Sequence, residues 1–268
     1  MANARELALQ TLIEIINEGA YSNRALNEQI EKNKLTEQDK NFMTELVYGT
    51  LQHYQLLEFY SLPYFKGRIK GWVKILIAMT LYQILYLDSV PEHAAISEAV
   101  NVARKRGGEY NGKLVNAILR EIRRHPWRDI QDISNEQERL AIQTSHPLWL
   151  IRLWWKQFGE QKTKTMVAAN NERVFMTLRV NSLKGTRDQL MKQLEVEGVQ
   201  CKKGNLSEDA LVVVKGNAVK TKAFEEGWFY IQDEASMLVA LALNPQPNTK
   251  ILDACSAEEV KRLILHSC

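Results

Sequence analysis

The chain has 268 residues, enough for one large domain or two ordinary domains that each bury a core of their own. Its 45% hydrophobic and 25% charged residues are ordinary globular values, which exclude a disordered or fibrous protein. The formal net charge is only +3. Three scattered cysteines, Cys201, Cys255 and Cys268, lack the paired spacing of a metal site or a disulfide framework. We therefore expect no metal and predict reduced thiols in a cytoplasmic protein.

No stretch of the sequence predicts a membrane partner. The N-terminus, Met-Ala-Asn-Ala-Arg-Glu, lacks the basic-then-apolar order of a signal peptide. The most apolar segment, 75–87, includes Thr80 and Gln83 and is too short to span a bilayer. We interpret it as a buried helix of the core.

Helical periodicity runs through the first 128 residues, beginning with three predicted helices. An apolar stripe indicates a first helix that ends at Gly19. Ser22 or Asn23 is the predicted cap of a short second helix. Thr36, with Asp39 three positions later, resembles a capping box at the start of a long third helix.

The later helices of this region are separated by proline and glycine. A buried helix is predicted over 72–87, and a small basic group precedes or enters it: Lys66, Arg68, Lys70 and Lys74. Pro91 suits the first turn of the next helix. Gly107-Gly108 predicts a break, and Pro126 ends the helix that follows.

Positive charge is concentrated between residues 104 and 128. Eight basic residues stand there against only Glu109 and Glu121, so the segment carries +6 and the remainder of the chain −3. Lysine and arginine neutralise phosphates and release counterions, which gives affinity for nucleic acid without sequence choice. The alternative for any single residue is a solvated helix face. The predicted RNA-binding residues are Arg104, Lys105, Arg106, Lys113, Arg120, Arg123, Arg124 and Arg128.

Two polar residues in these helices could suggest catalysis. His93 has no partner nearby in the sequence and precedes an apolar helix face, which is more typical of a structural or surface histidine. Asn116 is explained equally well by a side chain that bridges helix ends and by contact with RNA. We assign neither residue a catalytic role.

A polar segment, 129–145, is predicted to be a linker with at most a helical turn. Pro147 then suits the start of a helix that Gly159 ends, and a further helix should reach about Asn170. An aromatic stripe marks one side of the first of these helices. It could stack on bases, but tryptophan at helical spacing is more often core. The stripe consists of Ile151, Trp154, Trp155 and Phe158.

The hydrophobic period then changes from helical to alternating, which predicts a small α/β region. Thr186 should cap its first helix and Gly198 should end it. Asp233 should cap a further helix. The predicted strands are 174–180, 210–214, 228–231 and 250–253, and the predicted helices are 187–197 and 234–243.

The helices that carry the basic segment also carry a first resemblance. Pro91-Glu-His-Ala-Ala-Ile-Ser-Glu-Ala-Val, Ala103-Arg-Lys and Lys113-Leu-Val-Asn-Ala-Ile-Leu-Arg are similar to the core of NusB-type transcription antitermination factors. The resemblance implies an all-helical domain that binds RNA.

Four motifs in order carry a second resemblance, to the Sun/Fmu-type small-subunit ribosomal RNA (cytosine-5)-methyltransferases. They are His146-Pro-Leu-Trp-Leu, Leu178-Arg-Val-Asn-Ser-Leu-Lys, Gly227-Trp-Phe-Tyr-Ile-Gln-Asp-Glu-Ala-Ser and Ile251-Leu-Asp-Ala-Cys-Ser-Ala. The implied fold class is α plus α/β. The implied division is a NusB-like RNA-binding domain (1–128), a linker (129–145), a small α/β domain (146–232), the first strand of a Rossmann-like S-adenosylmethionine domain (233–257) and a non-matching tail (258–268).

By this resemblance Cys255, Ser256 and Ala257 match the opening of the loop that holds S-adenosylmethionine. From Glu258 onward the sequence no longer matches, and no glycine follows Gly227, although such a loop needs glycine for close backbone approach to its ligand. The Pro-Cys and Thr-Cys motifs that carry the family's catalytic cysteines are absent. We therefore expect no catalytic residue and no bound cofactor here, and a reading frame cut by a frameshift or stop codon.

The expected function is to bind RNA, with small-subunit ribosomal RNA as the implied partner, without methyl transfer by this chain alone. The alternative is a stand-alone RNA-binding or antitermination-like module without an enzymatic role.

Overall fold

The computed structural model describes residues 3–172 and 174–244, together with Gln246, Lys250 and Leu252. The chain divides into two compact units after Glu172. The first unit contains α1 (Ala4–Glu18), α2 (Ser22–Asn33), α3 (Glu37–Gln52), α4 (Tyr54–Ser61), α5 (Gly71–Tyr86), α6 (Glu92–Arg124), α7 (Glu136–Thr144), α8 (Leu148–Phe158) and α9 (Glu160–Asn171). The second contains β1 (Thr177–Val180), α10 (Arg187–Val196), β2 (Gln200–Lys203), β3 (Ala210–Lys215), α11 (Lys222–Glu225), β4 (Phe229–Ile231) and α12 (Glu234–Leu243).

Helix α5 is the centre of the first unit, as its apolar sequence predicts. Its side chains from Ile75 to Gln83 are buried against α1, α3, α4 and α6. Its two buried polar side chains are satisfied within the fold, because Thr80 donates to the Leu76 carbonyl (2.7 Å) and Gln83 accepts from Arg5 Nε (2.8 Å). No helix in the described part of the chain is both long and apolar enough to cross a bilayer.

The predicted helix ends are confirmed at α1 and α3 but not at the start of α2. Gly19 ends α1 in the left-handed region (φ 72°), and the Thr36 side chain accepts from the Asp39 amide. At α2 the N-cap residue is Tyr21, which makes no side-chain cap, and the Asn23 side chain accepts only from the next amide. The packing of Ala25 and Leu26 against the core, rather than a cap, fixes this helix.

The predicted glycine break bends α6 into two arms. Gly108 has φ 79° and ψ 178°, a backbone region open almost only to glycine. A Cβ on Gly107 would lie 2.8 Å from the Trp72 ring, so Gly107 lets the backbone pass close to that ring. Gly108 provides the backbone angles of the bend. The arms, 92–107 and 109–124, therefore run in different directions.

Residues 129–145, which the sequence predicts to be a linker with little regular structure, contain a full helix. They form a 3-10 turn at Ile130–Asp132 and then α7, which Asn135 caps by accepting from the Glu138 amide (3.0 Å). The polar composition is that of an exposed helix face, while Ala141 is buried with residues of α8 and α9.

The first compact unit extends past residue 146, where the sequence predicts that the small α/β domain begins. The packing of α8 and α9 on α7 groups 146–172 with the helical unit, which ends at Glu172. In the aromatic stripe of α8, Ile151 is fully buried and Trp154 and Trp155 pack on it, whereas Phe158 is 44% exposed. The core interpretation is therefore confirmed for all of the stripe except Phe158.

A four-stranded antiparallel sheet in the order β2-β3-β1-β4 forms the second unit. Leu178 of β1 pairs with Leu211 of β3 and Ile231 of β4, and α10 covers this face with Leu190 and Leu194. Three predicted strands are confirmed, although the first begins only at Thr177. Strand β2 was not predicted, because its Gln-Cys-Lys-Lys sequence is that of a polar edge strand.

The predicted N-terminal cap is confirmed at α10, whereas at α12 the predicted capping hydrogen bond does not form. Thr186 and Gln189 form a reciprocal capping box on α10. Asp233 occupies the N-cap position of α12 but makes no cap hydrogen bond. Instead, the Glu234 carboxylate accepts from the amides of Leu206 (2.8 Å) and Ser207 (3.2 Å), which ties the start of α12 to the β2–β3 loop. The predicted strand at 250–253 lies outside the described residues except for Lys250 and Leu252.

Alkaline pH is expected to destabilise the first unit through Tyr54 at the start of α4. Burial, with a contribution from the Glu58 carboxylate, raises the pKa of Tyr54 to about 12. A folded-state pKa above the unfolded value stabilises the protein fully below pH 10, and this stability is lost as the pH rises towards 12. The free energy of unfolding in urea should fall between pH 10 and 12 by about 1–2 kcal/mol more in the parent protein than in Tyr54→Phe. Tyr21→Phe, at an 80% exposed tyrosine, is the control. An equal fall in parent and Tyr54→Phe would contradict the assignment.

Candidate nucleic-acid interface

All eight predicted RNA-binding residues have exposed side chains in the structure. They divide between the two arms of α6 and the segment that follows. The first arm carries Arg104, Lys105 and Arg106, the second carries Lys113, Arg120, Arg123 and Arg124, and Arg128 comes after the helix. The sequence patch is therefore on the surface, but the bend at Gly108 splits it.

Half of these cations are paired with carboxylates, which reduces the charge that the sequence count suggested. Two of the carboxylates come from distant parts of the chain, so sequence proximity could not reveal them. The pairs are Arg104–Glu109 (2.6 Å), Lys105–Glu6 (2.6 Å), Arg123–Glu92 (2.7 Å) and Arg124–Glu121 (2.9 Å). Exposed pairs of this kind contribute about 0–1 kcal/mol each to stability, so their main effect is on the local field.

Two further cations lie against aromatic rings. The Arg106 guanidinium is 5.8 Å from the Trp72 ring centroid and donates to Gln10 (3.0 Å). The Arg128 guanidinium is 4.1 Å from the Phe59 ring centroid. These contacts keep the positive charge but restrict where the side chains can reach.

Lys113, Arg120 and Arg124 form a basic stripe along the solvent face of the second arm. Successive residues of a helix are rotated by about 100°, so these three lie within about 40° of one another around the axis. The buried Val115 and Ile122 are on the opposite side. Among the described residues, neither Lys113 nor Arg120 has a carboxylate within ion-pair distance. Lys113 and Arg120 are thus the cations of the patch that are most available to phosphates, and Arg124, which pairs with Glu121, extends the same face.

A groove with a volume of about 420 Å³ runs beside the basic stripe. One wall comes from the 3-10 turn after α4 and the other from the second arm of α6. The Tyr64 and His125 rings both line it, with centroids 6.1 Å apart and planes 31° from parallel. Its lining consists of Pro63, Tyr64, Lys66, Leu114, Ala117, Ile118, Glu121 and His125.

A second cavity of the same volume lies elsewhere on α6. Glu92 and Arg123, which form an ion pair, are at its edge, and Trp127 is one of its walls. Most of its other lining is apolar, including Leu81 and Ile96. Its charged groups neutralise each other, which makes it a poorer site for an anion than the groove.

The structure places no catalytic arrangement around the polar residues that the sequence singled out. His93 is exposed and Asn116 is half-buried. Within the described residues, no three histidine, cysteine, aspartate or glutamate side chains are grouped so as to hold a metal ion. Burial raises the pKa of the Cys201 thiol, opposite to the shift that makes a cysteine nucleophilic. The predicted cofactor residues Cys255, Ser256 and Ala257 lie outside the described residues.

Sequence reasoning missed the groove because its walls come from positions about fifty residues apart. The sequence shows a small basic group from Lys66 to Lys74, but nothing in it indicates that Lys66 lies close to the second arm of α6. The 3-10 turn at Leu62–Tyr64 brings them together. Only the folded structure shows that Lys66 and the second arm of α6 line the same groove.

Comparison with known proteins identifies both parts of the chain. Residues 2–124 match the NusB family, and residues 146–220 match the Methyltr_RsmF/B-like, ferredoxin-like domain. The chain is 39% identical over 257 residues to the probable ribosomal RNA small subunit methyltransferase B of Bacillus subtilis (strain 168). Along nearly its whole length the chain resembles the Sun/Fmu-type methyltransferases.

The chain spans a little under three fifths of the curated Sun/Fmu-type relatives that it matches. The alignment with the Bacillus subtilis protein covers 95% of this chain and 58% of that protein. The probable ribosomal RNA small subunit methyltransferase B of Synechocystis sp. is 31% identical over 264 residues, which cover 96% of this chain and 59% of that protein.

The fold as a whole recurs in a solved structure. The crystal structure of PH0851 covers 99% of this chain with a TM-score of 0.67, at 20% sequence identity, and the match covers 60% of that protein. This likeness confirms the predicted fold class, a mainly helical unit followed by a unit built on a small antiparallel sheet.

Proposed function

We propose that this chain is the RNA-binding portion of a 16S ribosomal RNA (cytosine-5)-methyltransferase and docks small-subunit ribosomal RNA through the basic stripe. The observation that carries the proposal is the exposed alignment of Lys113, Arg120 and Arg124 on a NusB-family domain. The names of the aligned relatives support the RNA class. Three cations on one face of a helix give affinity for a phosphate chain without reading its sequence.

The proposal includes the absence of methyl transfer by these 268 residues alone. S-adenosylmethionine is the proposed methyl donor of the longer relatives. Methylation at carbon 5 of cytosine proceeds through a cysteine thiolate that adds to the ring. This sequence contains neither a Pro-Cys nor a Thr-Cys dipeptide, and the half-buried Cys201 has a raised pKa. The role left to the chain is to bind and position RNA.

A second candidate is a stand-alone RNA-binding module of antitermination type. The match of residues 2–124 to the NusB family favours it as much as it favours the first candidate. Both candidates bind RNA through the basic stripe, but they differ in which RNA they prefer. A ribosomal docking domain should prefer small-subunit ribosomal RNA, whereas a general module should bind unrelated RNA of equal length equally well.

The test combines binding and turnover. The 268-residue chain is mixed with small-subunit ribosomal RNA and radiolabelled S-adenosylmethionine, with the Bacillus subtilis relative as the positive control. We expect the chain to bind the RNA but transfer no label, while the relative transfers label. Label transfer by this chain would overturn the inactivity, and failure to bind RNA would overturn the proposed function itself.

A further inference from the structure

We propose that the groove beside the basic stripe receives one unstacked base of a single-stranded RNA whose phosphates lie along the stripe. This inference rests on the proposed function, since it requires RNA binding, and deepens it by specifying single-stranded rather than duplex RNA. The groove is defined above by its lining from Pro63 to His125.

The first argument is position. The four α6 residues that line the groove are Leu114, Ala117, Ile118 and Glu121. At about 100° per residue they occupy the sector of the helix surface next to the basic stripe, and Ala117 lies at the boundary between the two. The small side chain of Ala117 leaves the mouth of the groove open towards the stripe. A strand held by Arg120 and Arg124 therefore passes the mouth.

The second argument is the character of the walls. Aromatic rings are the common platforms for unpaired bases, because every base presents a π-face to them. The groove offers the Tyr64 and His125 rings and an apolar floor from Leu114 and Ile118. Its volume of about 420 Å³ is within the usual range for small-ligand sites, so a base with part of its ribose fits.

The third argument is the placement of charge. Lys66 is exposed at the groove and adds a cation across from the basic stripe, so phosphates on either side of an inserted base would meet positive charge. The Glu121 carboxylate is oriented by Arg124 (2.9 Å) and lies 3.7 Å from His125. A carboxylate accepts hydrogen bonds from the amino group of a base. In an RNA duplex the amino groups of adenine and cytosine lie in a deep, narrow major groove that side chains cannot read, so the groove suits an unpaired base.

The experiment compares two fluorescein-labelled oligonucleotides of equal length by anisotropy: a single-stranded RNA and an abasic strand with the same phosphates. The parent protein should bind the RNA about tenfold more tightly than the abasic strand. Ala117→Leu, which narrows the mouth, and Tyr64→Leu, which removes a ring, should bring RNA affinity down to the abasic value. Neither variant should change affinity for the abasic strand. Ala169→Leu on α9 is the matched control, since Ala169 is an exposed helical alanine outside the groove.

The outcomes separate the two proposals. Equal affinity of the parent for both strands, with salt-dependent binding of each, overturns the base site and leaves RNA docking intact. Loss of the preference in Ala169→Leu as well as in Ala117→Leu also overturns it. An unchanged preference for the RNA strand in both groove variants also overturns the base site. No binding of either strand overturns the proposed function instead.

Discussion

Replacing Gly49 by alanine is expected to destabilise the first unit by about 2–3 kcal/mol, although alanine is normally the better helix former by about 1 kcal/mol. Gly49 is in α3, and a Cβ there would overlap the ring of Tyr82 on α5, coming within 2.5 Å of its Cε1. The ring cannot move aside easily. Tyr82 is 5% exposed, donates to Glu45 (2.5 Å) and stacks on Tyr86 at 5.3 Å.

Removing the Tyr82 ring tests whether it causes the loss of stability in Gly49→Ala. In a Tyr82→Leu background the added methyl group meets no aromatic ring, so Gly49→Ala should become neutral or mildly stabilising. Urea unfolding followed by circular dichroism gives the free energy of unfolding for the four proteins of this cycle. Gly71→Ala is the matched control, because a Cβ on Gly71 approaches only Asn17, at 3.9 Å. A penalty of the same size in both backgrounds would show that the contact with Tyr82 is not the cause.

The Gly49–Tyr82 contact illustrates which features local sequence can predict. The apolar run of α5, the break at Gly107-Gly108 and the cap at Thr186 depend on residues a few positions apart, and the sequence predicts each of them. The glycine of α3 carries no such signal, because its need arises from a ring 33 positions away that packs against it. The hydrophobic periodicity of a sequence cannot predict features that depend on tertiary packing.

The same distinction explains the errors. Strand β2 has the polar composition of an edge strand and is recognisable only by its pairing with β3. The cap at α12 was assigned to Asp233 by local rules, but the neighbouring Glu234 reaches the amides of another loop. At the candidate interface, the charge count places most of the predicted RNA-binding residues in α6. It could not show that Arg123 is paired with Glu92.

That ion pair changes which residues should dominate RNA affinity. The structure favours the basic stripe, Lys113, Arg120 and Arg124, because these three share one solvent face. Arg123 lies outside this face and pairs with Glu92, whereas Arg124 lies on it although it pairs with Glu121. The triple variant with glutamine at all three positions keeps a good helix former and removes three charges.

In the stripe variant, the slope of log K against log salt for single-stranded RNA should become shallower by about 2, since each lost phosphate contact removes about 0.7. The matched control replaces three exposed lysines of the second unit, Lys192, Lys215 and Lys220, by glutamine, which gives the same net charge. Net charge acts on both variants alike, but only the stripe variant loses released counterions. Titration by fluorescence anisotropy between 50 and 200 mM salt measures the slopes. Equal slopes for the two triple variants would mean that net charge alone, and not the basic stripe, accounts for RNA affinity.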